Sequence, residues 1–314
     1  MATAEAKLDE PPPSTAARAE EGAHLKSEPL LDREAVTGLR LVAPPFLVAL
    51  LGLGVPIVLL ILYSFWTQHY LEIDHTLTLT NYTTIFSEPI YRDLLMRSVM
   101  MSAGATLLTI TLSYPVAYFI AFHGGRHKAL WLFLITVPFW TSYLLRVFSW
   151  KVVLGYNGVI NSGLMALGII HEPIEALLYN QTAVVVTLAH AWAPFALLPM
   201  YVSLDKIDKS LLEAATDLGD GPLMRFLRVT LPLSLPGIIN ASLIVFIPTV
   251  GDYVTPSLVG GTQGYMIANT IQTQFGKANN WPLGAALAIV SMLVVTGIAL
   301  GFIGFLRLVT GRTR

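Results

Sequence analysis

The chain contains no cysteine. That absence excludes disulfides, thiolate metal sites and a cysteine nucleophile, and leaves the compartment open. Charge is scarce too: Asp, Glu, Lys and Arg make up 12% of the 314 residues, where soluble domains carry about 25%. The 19 basic and 20 acidic residues nearly cancel to a net charge of −1, so no phosphate-seeking surface is offered to nucleic acid. Also missing are a Gly-x-x-x-x-Gly-Lys-Ser/Thr phosphate loop, a His-Glu-x-x-His zinc helix and a Gly-x-Ser-x-Gly elbow. The chain is therefore not expected to be an enzyme or to hold a metal or cofactor of its own.

What is present in excess is apolar surface. Hydrophobic residues make up 54% of the chain and mean hydropathy is +0.63. Charge-free apolar runs of 23 residues or more can cross a hydrocarbon core of about 30 Å as helices. An all-α integral membrane protein is expected, with six spans at roughly 41–65, 98–122, 129–149, 181–203, 232–253 and 284–306. Pro56, Pro115, Pro138, Pro194, Pro199, Pro236 and Pro248 fall within them. Proline survives in such helices where neighbours satisfy the freed carbonyl.

Residues 1–40 differ from the rest, with five Lys/Arg, eight Asp/Glu and the run Pro11-Pro12-Pro13. They bury too little apolar area to offset ordering entropy and read as a disordered tail. The first apolar run starts too late and is too long for a cleavable signal. Residues 41–308 read as the membrane domain, and 309–314 as a short terminal segment. With the N-terminus cytoplasmic, 14 of the 19 basic residues fall on inner segments, so both termini are expected inside. The three outer segments, 66–97, 150–180 and 254–283, are too short to be domains. Val159–Ile170 reads either as a short surface helix or as a plain loop.

The most specific local chemistry lies in the inner loop over 204–231. Ser210 and Glu213 have capping-box spacing, which would start a helix. Leu211, Ala215 and Leu218 then share one face, with Lys209, Glu213 and Asp217 polar. Gly219 and Gly221 supply a stop, and Pro222 suits the first turn of a second helix. A helix this short is marginal in water, so the apolar stripe needs a partner: another protein, or the chain's own helix ends.

Glu213-Ala214-Ala215, then Gly219, then Val229-x-Leu231-Pro232 resembles the EAA loop of permease subunits from binding-protein-dependent ABC importers. The family pattern has Glu-Ala-Ala, three residues, Gly, nine residues and Ile-x-Leu-Pro, and this chain departs only by Val229. Further stretches are similar to the spermidine/putrescine branch. They include Pro138-Phe139-Trp140-Thr141-Ser142-Tyr143 with Arg146, Asn157 to Asn161, Leu233 to Ile238, Gly260-Gly261, Met266-Ile267 and Asn280 to Ala286. The resemblance covers about residues 40–308 and implies a type I importer permease fold in a bacterial inner membrane. It implies a second homologous permease, two copies of an ABC ATPase carrying ATP and Mg, and an extracytoplasmic binding protein as partners. It further implies a coupling helix between helices 4 and 5. Ser210, Leu211, Leu212, Glu213, Ala214, Ala215, Asp217, Leu218, Gly219, Leu231 and Pro232 would carry the coupling.

A carboxylate at membrane depth marks a functional site by default, and Asp252 lies at the outer end of span 5. Two readings are open: it attracts a cationic solute, with Trp140, Tyr143 and Tyr253 offering ring faces, or it pairs with Arg146. Arg146 reads as an ion-pair partner or a snorkelling cation more readily than as a solute contact. His190 reads as a hydrogen-bonded core residue. Gly297 and Gly301 permit close helix approach, within the subunit or across to a partner. The cargo expected from the branch is a polyamine. The alternatives are another small organic solute (an amino-acid derivative, an opine or a phosphonate-like compound) or an autonomous secondary carrier. The carrier would need coupling groups and a repeat that the spans do not display.

Overall fold

A computed structural model of the chain describes residues 33–70 and 72–311. The tail expected over 1–40 lies outside the described residues up to residue 32. Helix α1, Arg33–Ser64, already begins inside that stretch and carries Pro44, Pro45 and Pro56. The chain divides into two units, Met1–Leu59 and Leu60–Arg314; the remaining elements and the sites below belong to the second.

After α1 comes a two-stranded antiparallel hairpin, β1 Thr67–His69 and β2 Glu72–Asp74, with Gln68 opposite Ile73. No sequence expectation covered it. The helices that follow are α2 Thr80–Ser87, α3 Pro89–His123, α4 Lys128–Thr136, α5 Tyr143–Leu154, α6 Val159–Ala166 and α7 Gln181–Asp205. Then come α8 Lys209–Asp217, α9 Pro222–Arg225, α10 Leu231–Val250, α11 Ile267–Gly276 and α12 Trp281–Gly311. Five described helices are long and apolar enough to cross a membrane, and a sixth crossing is available if one bent pair counts as a span.

That bent pair replaces the straight third span expected over 129–149. Gly125–Trp140 and Tyr143–Ala166 meet at 87°. Pro138 opens the break: it has no amide for the preceding turn, which tightens into a 3-10 segment, Val137–Trp140. Thr141 and Ser142 are then extended. By contrast Pro115, Pro194, Pro199, Pro236 and Pro248 lie inside helices that continue. The difference follows from packing, because those helices form the core.

In that core α3, α7 and α10 bury Ala117, Ile120, Ala196, Met200, Leu204, Ala241 and Val245 against one another. Small polar residues line the α3 face, and Thr109 Oγ1 donates to the carbonyls of Ala105 (2.6 Å) and Ala189 (3.3 Å). Such residues satisfy themselves and let helices approach without a hydrophobic driving force. Closest approach is at Gly237 of α10, where a Cβ would lie 2.5 Å from Ser203 Cβ and 2.7 Å from the Pro199 carbonyl oxygen. Both neighbours are rigid. Gly237→Val should therefore cost about 1–3 kcal/mol as overpacking and lower the thermal midpoint of the purified complex by several degrees, whereas an unchanged midpoint would show that α7 and α10 separate freely.

Candidate functional site

Two places in the second unit carry organised polar chemistry. The first is the loop between α7 and α10. Asp208, not Ser210, is the N-cap of α8: its carboxylate accepts the Ser210 amide at 3.0 Å. The expected Ser210–Glu213 box is therefore corrected, since Ser210 is already inside the helix and a stronger cap precedes it. The Ser210 amide holds the Asp208 carboxyl below its ordinary range, so the cap is complete at neutral pH and released only as pH falls through that lowered value. Asp208→Ala should speed hydrogen exchange at the Ser210 amide severalfold, while Ser210→Ala should leave the α8 amides protected; the reverse order would restore the box.

The far end of α8 closes as a Schellman turn. Gly219 sits at φ +91°, its amide donates to Thr216 (2.9 Å), and the Asp220 amide donates to Ala215 (3.0 Å). Gly221 and Pro222 then start α9. Arg225 Nη1 donates to Thr216 Oγ1 at 3.0 Å and Arg228 pairs with Asp220 at 2.9 Å, clamping the second arm of the elbow to the first. Between α9 and α10 the chain takes a π turn, Phe226–Thr230, with the Leu231 amide reaching Phe226. Pro232 explains it, because a residue without an amide at that turn is accommodated by one extra residue in the ring. Leu231 and Pro232 thus begin α10 within one helical rod running from Pro222 to Val250.

The stripe on α8 is oriented differently from the expected one. Ala215 is 6% exposed and Leu212 packs partly on the α3–α7–α10 core. Leu211 and Leu218 face outward, Leu218 at 87% exposure. Glu213, Ala214 and Asp217 are exposed beside them. So α8 rests on its own protein along one line and presents the rest of its surface freely. A cavity of about 480 Å³ separates it from the end of α3, lined by Tyr118, Phe122, His123, Glu213, Asp217 and Arg225 among others.

The second place lies at the opposite end of α10, where the break in the third span faces α7. A cavity of about 350 Å³ there is lined by Phe139, Thr141, Tyr143, Arg146, Ala191, Trp192, Phe195, Pro248 and Asp252. Asp252 is saturated with donors. Its Oδ1 accepts the amides of Val254 (2.8 Å) and Thr255 (3.3 Å), and Oδ2 accepts the hydroxyls of Thr255 (2.6 Å) and Tyr143. The carboxylate thus starts the next turn of chain and ties it to α5.

Arg146 does not pair with Asp252, nor does it snorkel, which corrects both expectations. It is 8% exposed and donates to three backbone carbonyls: Ala191 (2.9 Å), Phe139 (3.1 Å) and Thr141 (3.2 Å). Ion pairs among the described residues are Lys128–Asp205 and Arg228–Asp220. The geometry joins Tyr143, Arg146 and Asp252 but leaves Trp140 and Tyr253 out of the cavity wall, exposed at 77% and 46%. His190 is exposed with its ring 5.3 Å from that of Trp150, not buried as expected. Gly297 and Gly301 meet nothing within 4 Å.

Sequence reasoning missed Asn269. It is buried, donates to the Tyr253 carbonyl (2.9 Å) and to Ser257 Oγ (2.7 Å), and accepts the Met266 amide (3.0 Å). It missed Trp192 as well. The only sequence signal for either is a polar atom inside an apolar stretch.

Comparison with known proteins supplies independent findings. Residues 113–309 match the family described as binding-protein-dependent transport system inner membrane component. The chain is 40% identical over 223 residues to the spermidine/putrescine transport system permease protein PotB of Escherichia coli K12, covering 71% of this chain and 80% of that protein. It is 31% identical over 249 residues to the inner membrane ABC transporter permease protein YdcU of the same organism, covering 73% and 78%. Its fold matches a chain of a bacterial ABC transporter that imports the acidic polysaccharide alginate, with a TM-score of 0.68 at 17% identity, over 89% of this chain and 96% of that one.

Proposed function

The chain belongs to the binding-protein-dependent transport system inner membrane components, and on that premise we propose that it admits a small organic cation of the spermidine/putrescine type, driven by ATP hydrolysis on partner chains. As a family member with the type I fold it is a multi-pass inner-membrane transport permease subunit, not an enzyme. The names of the spermidine/putrescine permease relatives support the polyamine cargo.

The observation that carries the coupling is the double-clamped elbow over 204–231. A helix capped by Asp208, closed at Gly219 and fastened by Arg225 and Arg228 behaves as a stiff lever. Leu211, Leu218, Glu213, Ala214 and Asp217 form its free surface, which the ATPase would grip. Ala215, Leu212, Leu231 and Pro232 join it to the core. An ATPase dimer that contacts the lever differently when open and closed biases inward-facing against outward-facing packing. In this reading the loop and both termini face the cytoplasm, as the distribution of basic residues supports. A second permease, two ATPase copies holding ATP and Mg, and an extracytoplasmic binding protein complete the machine within the lipid.

At the other end, the Tyr143–Asp252 pair lines the solute path, and Trp140 and Tyr253 stand at its exposed rim. Arg146 shares the cavity with Asp252 and brings its formal charge to zero. That neutrality favours, as a second reading, a solute with an acceptor group beside its ammonium, such as an amino-acid derivative. The test is uptake into proteoliposomes holding the complete complex, with binding protein and ATP. Labelled putrescine or spermidine should accumulate, and amino-acid derivatives should compete only in the second case. ATP-independent uptake by this chain alone would overturn the reading.

A further inference from the structure

The break in the third span leaves backbone acceptors that no helical amide meets. Phe139 lies in the last part of the 3-10 segment Val137–Trp140 and Thr141 is extended, so neither carbonyl is met by a helical amide one turn on. Within a membrane such groups must find a partner in the protein. Arg146 supplies it. One arm of its guanidinium reaches Phe139 and Thr141, and the other reaches Ala191 on α7. The cation also sits 5.3 Å from the centroid of the Phe139 ring. It is buried and has no carboxylate partner among the described residues. A permanent charge placed this way is costly, and its return here is geometric. A planar fork of fixed donors spans two chain segments at once, which an ammonium cannot do with the same constraint.

We propose that Arg146 is the positioning residue of the transport cavity. It pins the break to α7 and so sets where Tyr143, one helical turn away on α5, stands relative to Asp252. Arg146 acts through that pair and does not itself touch the solute. The uptake readout rests on the transport function proposed above; the distance readout does not.

The chain's lack of cysteine makes the test direct. Spin labels on Leu144→Cys in α5 and Leu198→Cys in α7, both exposed and outside the cavity wall, report the helix separation in the full transporter. With Arg146 present the labels should give one narrow distance. Arg146→Gln and Arg146→Met should broaden it and lower the maximal uptake rate about tenfold or more, with half-saturation by loaded binding protein unchanged. Arg146→Lys should fall between. A narrow distance and full rate in the Met variant would overturn the proposal, as would lost uptake at an unchanged distance, which would make Arg146 a solute contact. Should the Gln and Met complexes fail to assemble, the Lys variant decides: a broadened distance with a lowered rate sustains the pinning role, and parental values overturn it. Absence of uptake in the parent would count against the transport reading alone, since the distances would still report the pin.

Discussion

Ala215→Arg and Gly219→Val should each reduce ATP-driven uptake about a hundredfold, the effect of some 2–3 kcal/mol lost from a coupled step. The two act at different points of one lever. Ala215 faces the core where α8 rests on the protein, and a longer, charged side chain has no room there and no counter-ion. The helix must lift, and its outward surface moves with it. Gly219 closes the Schellman turn at φ +91°, a conformation that strains a β-branched residue by about 1–3 kcal/mol. Losing it frees the amides of Gly219 and Asp220 from α8 and loosens the clamp that Arg228 makes on Asp220. The measurement is paired: uptake in proteoliposomes and ATP hydrolysis by the same complexes. Expected is either an ATPase that no longer co-purifies, or one that hydrolyses ATP without import. Full import by both variants would separate the elbow from energy coupling. Leu218→Ala should be milder, because it trims one of several side chains on the exposed surface of α8 and leaves the helix and its turn in place.

The elbow was the most readable part of the sequence, for a physical reason. Helix caps, a left-handed glycine and a proline at a first turn are decided within four or five residues, so spacing exposes them. Even there spacing points to Ser210, and the cap is Asp208, two positions earlier. Asp208 and Ser210 are both good caps, and the choice depends on where Ile207 is buried against Leu204 and Met200, which spacing does not encode. The long apolar helices were legible from hydropathy alone, because crossing length and lack of charge are properties of composition. The break at Trp140 to Tyr143 was not. Pro138 there and Pro115 in α3 look alike in sequence, yet only the first interrupts its helix. What separates them is packing: α3 continues within the core, whereas at the break Arg146, 8 residues along the chain from Pro138, folds back and donates to the freed carbonyls. The direction of the α8 stripe was hidden for a related reason: three apolar positions on a short helix define a face, but only the packed core beneath decides which member is covered.

Asp252 is where sequence and structure suggest different weights, and its substitution has the second large expected effect. Read as a sequence, it is a charge at membrane depth. In the fold it is also an acceptor of four hydrogen bonds that start the chain after α10. Asp252→Asn separates these roles. The amide oxygen can keep the Val254 and Thr255 amides, and the amide nitrogen can donate to the two hydroxyls, which serve as acceptors as readily as donors. The turn therefore survives and the complex should assemble in normal yield. What disappears is the negative charge, leaving Arg146 as the net charge of the cavity and making it repulsive to an ammonium. Uptake of putrescine or spermidine should then fall by about 10- to 100-fold, with a much smaller loss for a solute that carries its own carboxylate, since low local dielectric magnifies the change in sign. Asp252→Ala removes charge and turn together and should lower assembly as well. Unimpaired polyamine uptake by the Asn variant would assign Asp252 to architecture alone and move cation recognition to the rim, where Trp140 and Tyr253 are exposed.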